Sequence, residues 1–149
     1  MTIYFGADHR GFALKEKLKK MLADEAYDVV DLGAAAYDQG DDYPDFAKAA
    51  GEELVKAPDG SRGILICGSG IGIDIAANKM PGVRAALATL PDQAYAARHD
   101  DDVNALVLAA DFTDEATAQR IVKTFLSTPF AGEERYRRRL EKLSQLDAS

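Results

Sequence analysis

Arg62-Gly63-Ile64-Leu65-Ile66-Cys67-Gly68-Ser69-Gly70-Ile71-Gly72-Ile73-Asp74-Ile75-Ala76-Ala77-Asn78-Lys79 is the stretch whose reading decides the fold. It begins with a short apolar run of the kind that forms a strand buried on both faces. The only cysteine of the protein ends that run, glycines follow at 68, 70 and 72, and an almost wholly apolar helix opens after them. Glycine removes side chains, so backbone N–H groups can crowd close around a bound group. The same N–H groups lie at a helix start, where unpaired donors and the macrodipole favour negative charge. A thiol at that point is a candidate base or nucleophile.

Outward from this stretch the chain alternates strand and helix without linker, repeat or low-complexity tract. Thr2 to Ala7 reads as a first strand and Asp8-His9-Arg10-Gly11 as its turn. The next helix carries Leu14, Leu18, Met21 and Leu22 on one face and lysines on the other. Val29 to Leu32 is a second strand ending at Gly33, followed by a polar, acidic loop to Asp42. Pro44 suits a first helical turn, and Phe46, Ala50 and Leu54 then recur every fourth residue. Pro81-Gly82 stops the central helix, Val83 to Ala88 is a fourth strand, and a helix runs from about Pro91 to Asp100. Ala105 to Ala110 is a fifth strand. Thr113 is expected to cap a helix that buries Ala118, Ile121, Val122, Phe125 and Leu126. After Pro129 a charged helix runs from about Glu133 to Leu146.

Five strands separated by helices predict an α/β fold: a three-layer αβα Rossmann-like sandwich on a five-stranded parallel sheet, with expected order 2-1-3-5-4 and an extra C-terminal helix. In such sheets ligands bind beyond the carboxyl ends of the strands. Those ends supply Asp8-His9-Arg10, then Cys67 to Gly70, then Thr89 and the helix leading to His99, so the cysteine and both histidines lie in or near the set.

Composition narrows the classes. A chain of 149 residues, 47% hydrophobic, fits one domain with a sizeable core. No apolar run spans a bilayer and no basic-then-apolar leader is present, so the expectation is a soluble cytoplasmic protein without a membrane partner. The net charge of −7 argues against nucleic acid as the main partner. A single cysteine forms no internal disulfide and, alone, no thiolate zinc site.

Each candidate also has a bland reading. Free cysteine is commonly a small buried apolar residue, and here the glycine loop favours function. Asp8 and His9 can make a simple turn, and His99 beside Asp100, Asp101 and Asp102 can be a solvated charge pair. Arg135 and Arg139 lie four apart, so both project from one side of a helix in a geometry that suits phosphate or carboxylate. The glycine loop is neither a dinucleotide fingerprint nor a Walker loop, and a cysteine phosphatase would need an arginine where Ile73 stands.

These residues carry a family resemblance. Gly6-Ala7-Asp8-His9-Arg10-Gly11-Phe12 with Leu14-Lys15, Asp31-Leu32-Gly33, Asp42-Tyr43-Pro44, the long central motif through Lys79, Gly82-Val83-Arg84-Ala85, and Phe130-Ala131-Gly132-Glu133-Glu134-Arg135 with Arg139 resemble the ribose-5-phosphate isomerase B family, which includes the galactose-6-phosphate isomerase subunits. The resemblance implies a cofactor-free, metal-free aldose–ketose isomerase acting on a sugar phosphate through an enediolate, with ribose 5-phosphate and ribulose 5-phosphate as the default pair. It implies Cys67 as the base, Ser69 as a proton shuttle, and His99, helped by Asp8, as the ring-opening residue. The N–H groups of Gly68, Gly70 and Gly72 would hold the enediolate oxygen. His9, Arg135 and Arg139 match phosphate-binding positions, Tyr43 matches a residue lining the site, and Asp100 is placed with the substrate-binding set. A homodimer or homotetramer with shared sites is implied, the C-terminal helix (about 133–146) packing on a partner subunit.

The chain departs from the family's pattern in three places. Where the family reads His-Asn-Asp-x-Asn, this chain reads His99-Asp100-Asp101-Asp102-Val103-Asn104. Where a Gly-x-Arg commonly follows strand five, Ala110, Asp111 and Phe112 stand. Tyr136 replaces a frequent histidine. The alternatives are an isomerase of a hexose 6-phosphate or free sugar, a non-catalytic sugar-phosphate sensor, and a metal enzyme using Asp8, His9 and His99. A receiver-like signalling domain would need an aspartate at position 67.

Overall fold

The computed structural model describes residues 1–58 and 60–147. Eleven elements alternate along the chain: β1 (Thr2–Ala7), α1 (Phe12–Asp24), β2 (Asp28–Asp31), α2 (Tyr43–Lys56), β3 (Arg62–Cys67), α3 (Ile71–Asn78), β4 (Ala85–Leu87), α4 (Pro91–Asp101), β5 (Ala105–Ala109), α5 (Glu115–Ser127) and α6 (Glu134–Asp147). The strands form one sheet in the order β2-β1-β3-β5-β4, every pair parallel. This is the expected three-layer α/β architecture and strand order.

The layers follow from side-chain alternation along the central strands. Ile64 and Ile66 of β3 join Ile3, Phe5, Leu106 and Leu108 under α1, α4 and α5, where Leu18, Ala94, Ile121 and Phe125 complete one core. Leu65 and Cys67 point the other way, into a second core with Ala47, Ala50 and Leu54 of α2 and Ile73 and Ala77 of α3. Both faces of β3 are therefore covered, as its continuous apolar run requires.

Several boundaries and faces differ from expectation. The buried face of α2 is Ala47, Ala50, Gly51 and Leu54; Phe46 instead lies against Gly33, where an added Cβ would come within 2.7 Å of its ring. Edge strand β4 is only three residues long; just before it the Arg84 N–H donates to the Asn104 side chain at 2.8 Å, while the Arg84 carbonyl still accepts the Ala105 N–H at 3.2 Å. The cap of α5 is Asp114, whose Oδ1 accepts from Thr117 N–H at 2.7 Å. The helix starts one residue late for Thr113, whose buried hydroxyl has no partner among the described residues. Lys15, expected among the outward lysines of α1, is fully buried, and its ammonium donates to both Asp31 carboxylate oxygens at 2.8 and 2.9 Å and to the Ala34 carbonyl. No helix among the described residues is long and apolar enough to cross a membrane.

Candidate active site

At the carboxyl end of the sheet the turns after β1, β3 and β5 are joined by backbone hydrogen bonds. Asp8 N–H reaches Ile66 O at 3.3 Å, Ala110 N–H reaches Cys67 O at 3.0 Å, and Asp111 N–H reaches Gly68 O at 2.9 Å. Parallel strands put all three turns at the same edge, and this register fuses them into one floor. Cys67 sits at its centre, 4% exposed, with its side chain on the α2/α3 side.

Gly70 caps α3 in the left-handed conformation, φ 76°, and a Cβ there would fall 2.6 Å from Leu87 Cδ1. Only glycine fits both conditions. Ser69 Oγ accepts the Ile71 N–H at 3.2 Å, so one loop donor is engaged within the loop. Tyr43, at the start of α2, lays its ring against Gly72, where a Cβ would meet it at 2.5 Å. One turn into α3, burial raises the Asp74 carboxyl above its ordinary value, against hydrogen bonds from the Leu87 backbone and the Asn78 side chain.

The turn after β1 holds two of the expected residues. Asp8 is buried, and its Oδ1 accepts the N–H groups of Arg10 at 3.0 Å and Gly11 at 3.1 Å. One carboxylate oxygen thus shapes the turn into α1. His9 is clamped by a residue the sequence did not single out: Asp41 Oδ1 lies 2.9 Å from the His9 backbone N and 2.8 Å from Nδ1. Nothing in the acidic loop distinguishes Asp41 from Asp38 or Asp42; only the return of that loop to β1 does. Lys15 anchors the start of the same loop at Ala34 O, next to Asp31. Burial pushes the Asp31 carboxyl up, but hydrogen bonds from Lys15, Lys19 and the Gly33 N–H outweigh it and hold it below its ordinary value. Asp8, His9 and Asp41 each offer a ligand atom within 4.8 Å of the others; His99 is not part of that group.

Arg10 lies in the Asp8-His9-Arg10 set at the carboxyl ends of the strands, with no role of its own assigned from the sequence. Its guanidinium lies where a Gly68 Cβ would be and pairs with Asp111. Asp111, in the segment after β5 where the resemblance leads one to expect an arginine, is thereby paired from across the glycine loop.

His99, Arg135 and Arg139 form a second group, at the end of α4 and the start of α6. His99 Nδ1 is 2.7 Å from Asp100 Oδ1, its ring stacks on Tyr95 at 5.1 Å, and it meets Tyr136 edge-on at 5.8 Å. The Arg135 and Arg139 guanidiniums lie 4.8 and 6.0 Å from the Tyr136 ring, and Arg135 donates to its hydroxyl at 3.0 Å. The last acid of this segment points elsewhere. Asp102, at φ 46°, accepts from buried Arg98 at 2.8 Å and from Arg84 at 3.3 Å. Among the described residues, no hydrogen bond, ion pair or ring contact joins the Cys67 group to the His99 group.

Residues 3–143 match the family model described as ribose/galactose isomerase. The chain belongs to this family. Among its relatives in the family, the probable ribose-5-phosphate isomerase B of Mycoplasma genitalium is 40% identical over 142 residues, 95% of this chain and 93% of that one. The ribose-5-phosphate isomerase B of Mycobacterium tuberculosis is 39% identical over 147 residues, 99% of this chain and 90% of that one. The M. genitalium enzyme crystallised with ribulose 5-phosphate superposes with a TM-score of 0.95 at 38% identity, covering 99% and 97% of the two chains. The Clostridium thermocellum family member gives 0.94 at 38% identity over 99% and 98%.

Proposed function

We propose that this chain folds as one isomerase domain and interconverts ribose 5-phosphate and ribulose 5-phosphate, working in the cytoplasm as a homodimer or larger with shared sites. The observation that carries the reading is Cys67, a buried thiol at the end of β3 where the glycine loop and the His9 turn meet, in a chain that matches ribose-5-phosphate isomerases B almost end to end.

In the reaction, Cys67 takes the proton from C2 of the open-chain aldose and returns it to C1. The electron pair left at C2 moves into an enediolate, whose oxygen is stabilised by N–H groups of the Gly68–Gly72 loop. The O2 proton passes to O1 through Ser69. His99 opens the sugar ring: with Nδ1–H donating to Asp100, Nε2 is left to exchange the proton. Asp8 assists through the carboxylate oxygen not used in its turn. His9, Arg135 and Arg139 hold the phosphate, and Tyr43 closes the side of the site over Gly72. The separation of the His99 group from Cys67 within one chain supports a site completed by a partner's His99. The outward Ile71 and Ile75 of α3 and Leu143 of α6, which buries no residue, supply apolar surface for that pairing.

The test is kcat/KM for ribose 5-phosphate, allose 6-phosphate, galactose 6-phosphate and the free sugars, with and without chelator. Ribose 5-phosphate should be preferred, and loss of the phosphate should cost at least about tenfold, or about 1.4 kcal/mol. Free ribose turned over as well as its ester would overturn the phosphate assignment. Loss of activity to chelator would move the reading to a metal at Asp8, His9 and Asp41.

A further inference from the structure

We propose that Arg10 is a substrate-binding residue which, held over Gly68 by Asp111, donates to the substrate's phosphate and takes the place of the arginine missing after β5. The inference rests on the phosphosugar reading above and adds a residue to it.

Three observations meet at this point. Asp111 follows β5 at the floor of the site, and a bare carboxylate there would repel a phosphate dianion. Its charge is met by Arg10, which reaches across from the opposite side of β3. The guanidinium occupies the space beside Gly68 that a side chain would take: a Cβ there would fall against the guanidinium carbon and Nε. Gly68 therefore admits a cation to the loop as well as exposing its own N–H.

The pair is not merely self-cancelling. A guanidinium carries five donors in a planar fork, and Asp111 meets it at Nη2. Among the described residues no other group accepts from the Arg10 side chain, which remains 55% exposed. Nε–H and Nη1–H are left over beside the Cys67 loop, one residue along from His9. Planar paired donors of this kind match phosphate oxygens. Asp111 fixes the fork's direction, so less side-chain freedom is lost on binding than for an unpaired surface arginine.

A double-mutant cycle separates a phosphate donor from a residue that only neutralises Asp111. Wild type, Arg10→Ala, Asp111→Ala and the double variant are compared in kcat and KM for ribose 5-phosphate and in calorimetric binding of inorganic phosphate, with thermal melts as the check on folding. Arg10→Ala should raise KM and the phosphate Kd at least about tenfold and leave kcat within about threefold, the signature of lost binding rather than lost chemistry. The double variant should remain weak in both. Recovery of wild-type KM in the double variant would show that Arg10 only masks the acid, and would overturn the proposal, as would an unchanged KM in Arg10→Ala. If the wild type binds phosphate through Arg10 but isomerises none of the sugars, the clamp stands and the isomerase reading falls.

Discussion

Replacing Asp41 by alanine removes both hydrogen bonds that hold His9, to its backbone N–H and to Nδ1. A hydrogen bond to a charged group contributes about 1.5–3 kcal/mol. The His9 side chain is 22% exposed, so water recovers part of that loss, and the low end, about 1.5 kcal/mol for the ring bond, is the appropriate figure. A second effect opposes it. The variant also removes a negative charge near a bound phosphate and a buried oxygen, Oδ2, that has no partner among the described residues. Asp41→Asn separates the two, because the amide keeps an acceptor for His9 and loses the charge. If positioning dominates, Asp41→Ala raises KM for ribose 5-phosphate about tenfold, Asp41→Asn raises it less, and kcat changes little in either because Cys67 stands on another loop. The assay is steady-state isomerisation over a range of pH, with thermal melts of each variant. A KM for Asp41→Ala at or below wild type, in a protein that melts normally, would refute the argument: the charge would then outweigh the clamp.

Cys67→Ala should abolish isomerisation while leaving the melt and phosphate binding nearly unchanged, since the side chain is small and buried; near-normal turnover would reassign the base. Mixing inactive Cys67→Ala and His99→Ala chains should restore part of the activity, and no recovery after verified subunit exchange would count against a shared site. The Asp31 carboxyl is held below its ordinary value of 3.8 despite burial, by Lys15, Lys19 and the Gly33 N–H. A depressed carboxylate stabilises the fold fully above its unfolded pKa, and that contribution is lost as pH falls through the lower folded value. Urea unfolding should therefore show stability declining below about pH 4, with a shallower decline in Asp31→Asn; equal slopes would remove Asp31 from the account.

The sequence by itself determined the strand–helix alternation, the placement of Cys67 at the end of β3 and the glycine loop opening α3. These are local signals: an apolar run of strand length, a residue type tolerated at positive φ, and helical spacing all lie within a few neighbours. The burial of Ala118, Ile121, Val122, Phe125 and Leu126 on α5 was legible for the same reason. Only the tertiary structure decided which charges meet. Lys15 and Lys17 look alike in a lysine-rich helix, yet the rotation of α1 on the sheet buries one against Asp31 and leaves the other at the surface beside Glu115. Asp41 carries no pattern in the chain and Arg10 shows only its place in a motif; their partners, His9 and Asp111, are set by strand order and parallel register, which bring distant turns to one edge. Pairing between loops depends on where the sheet puts their ends, and that is a property of the packed strands that no short window of sequence contains.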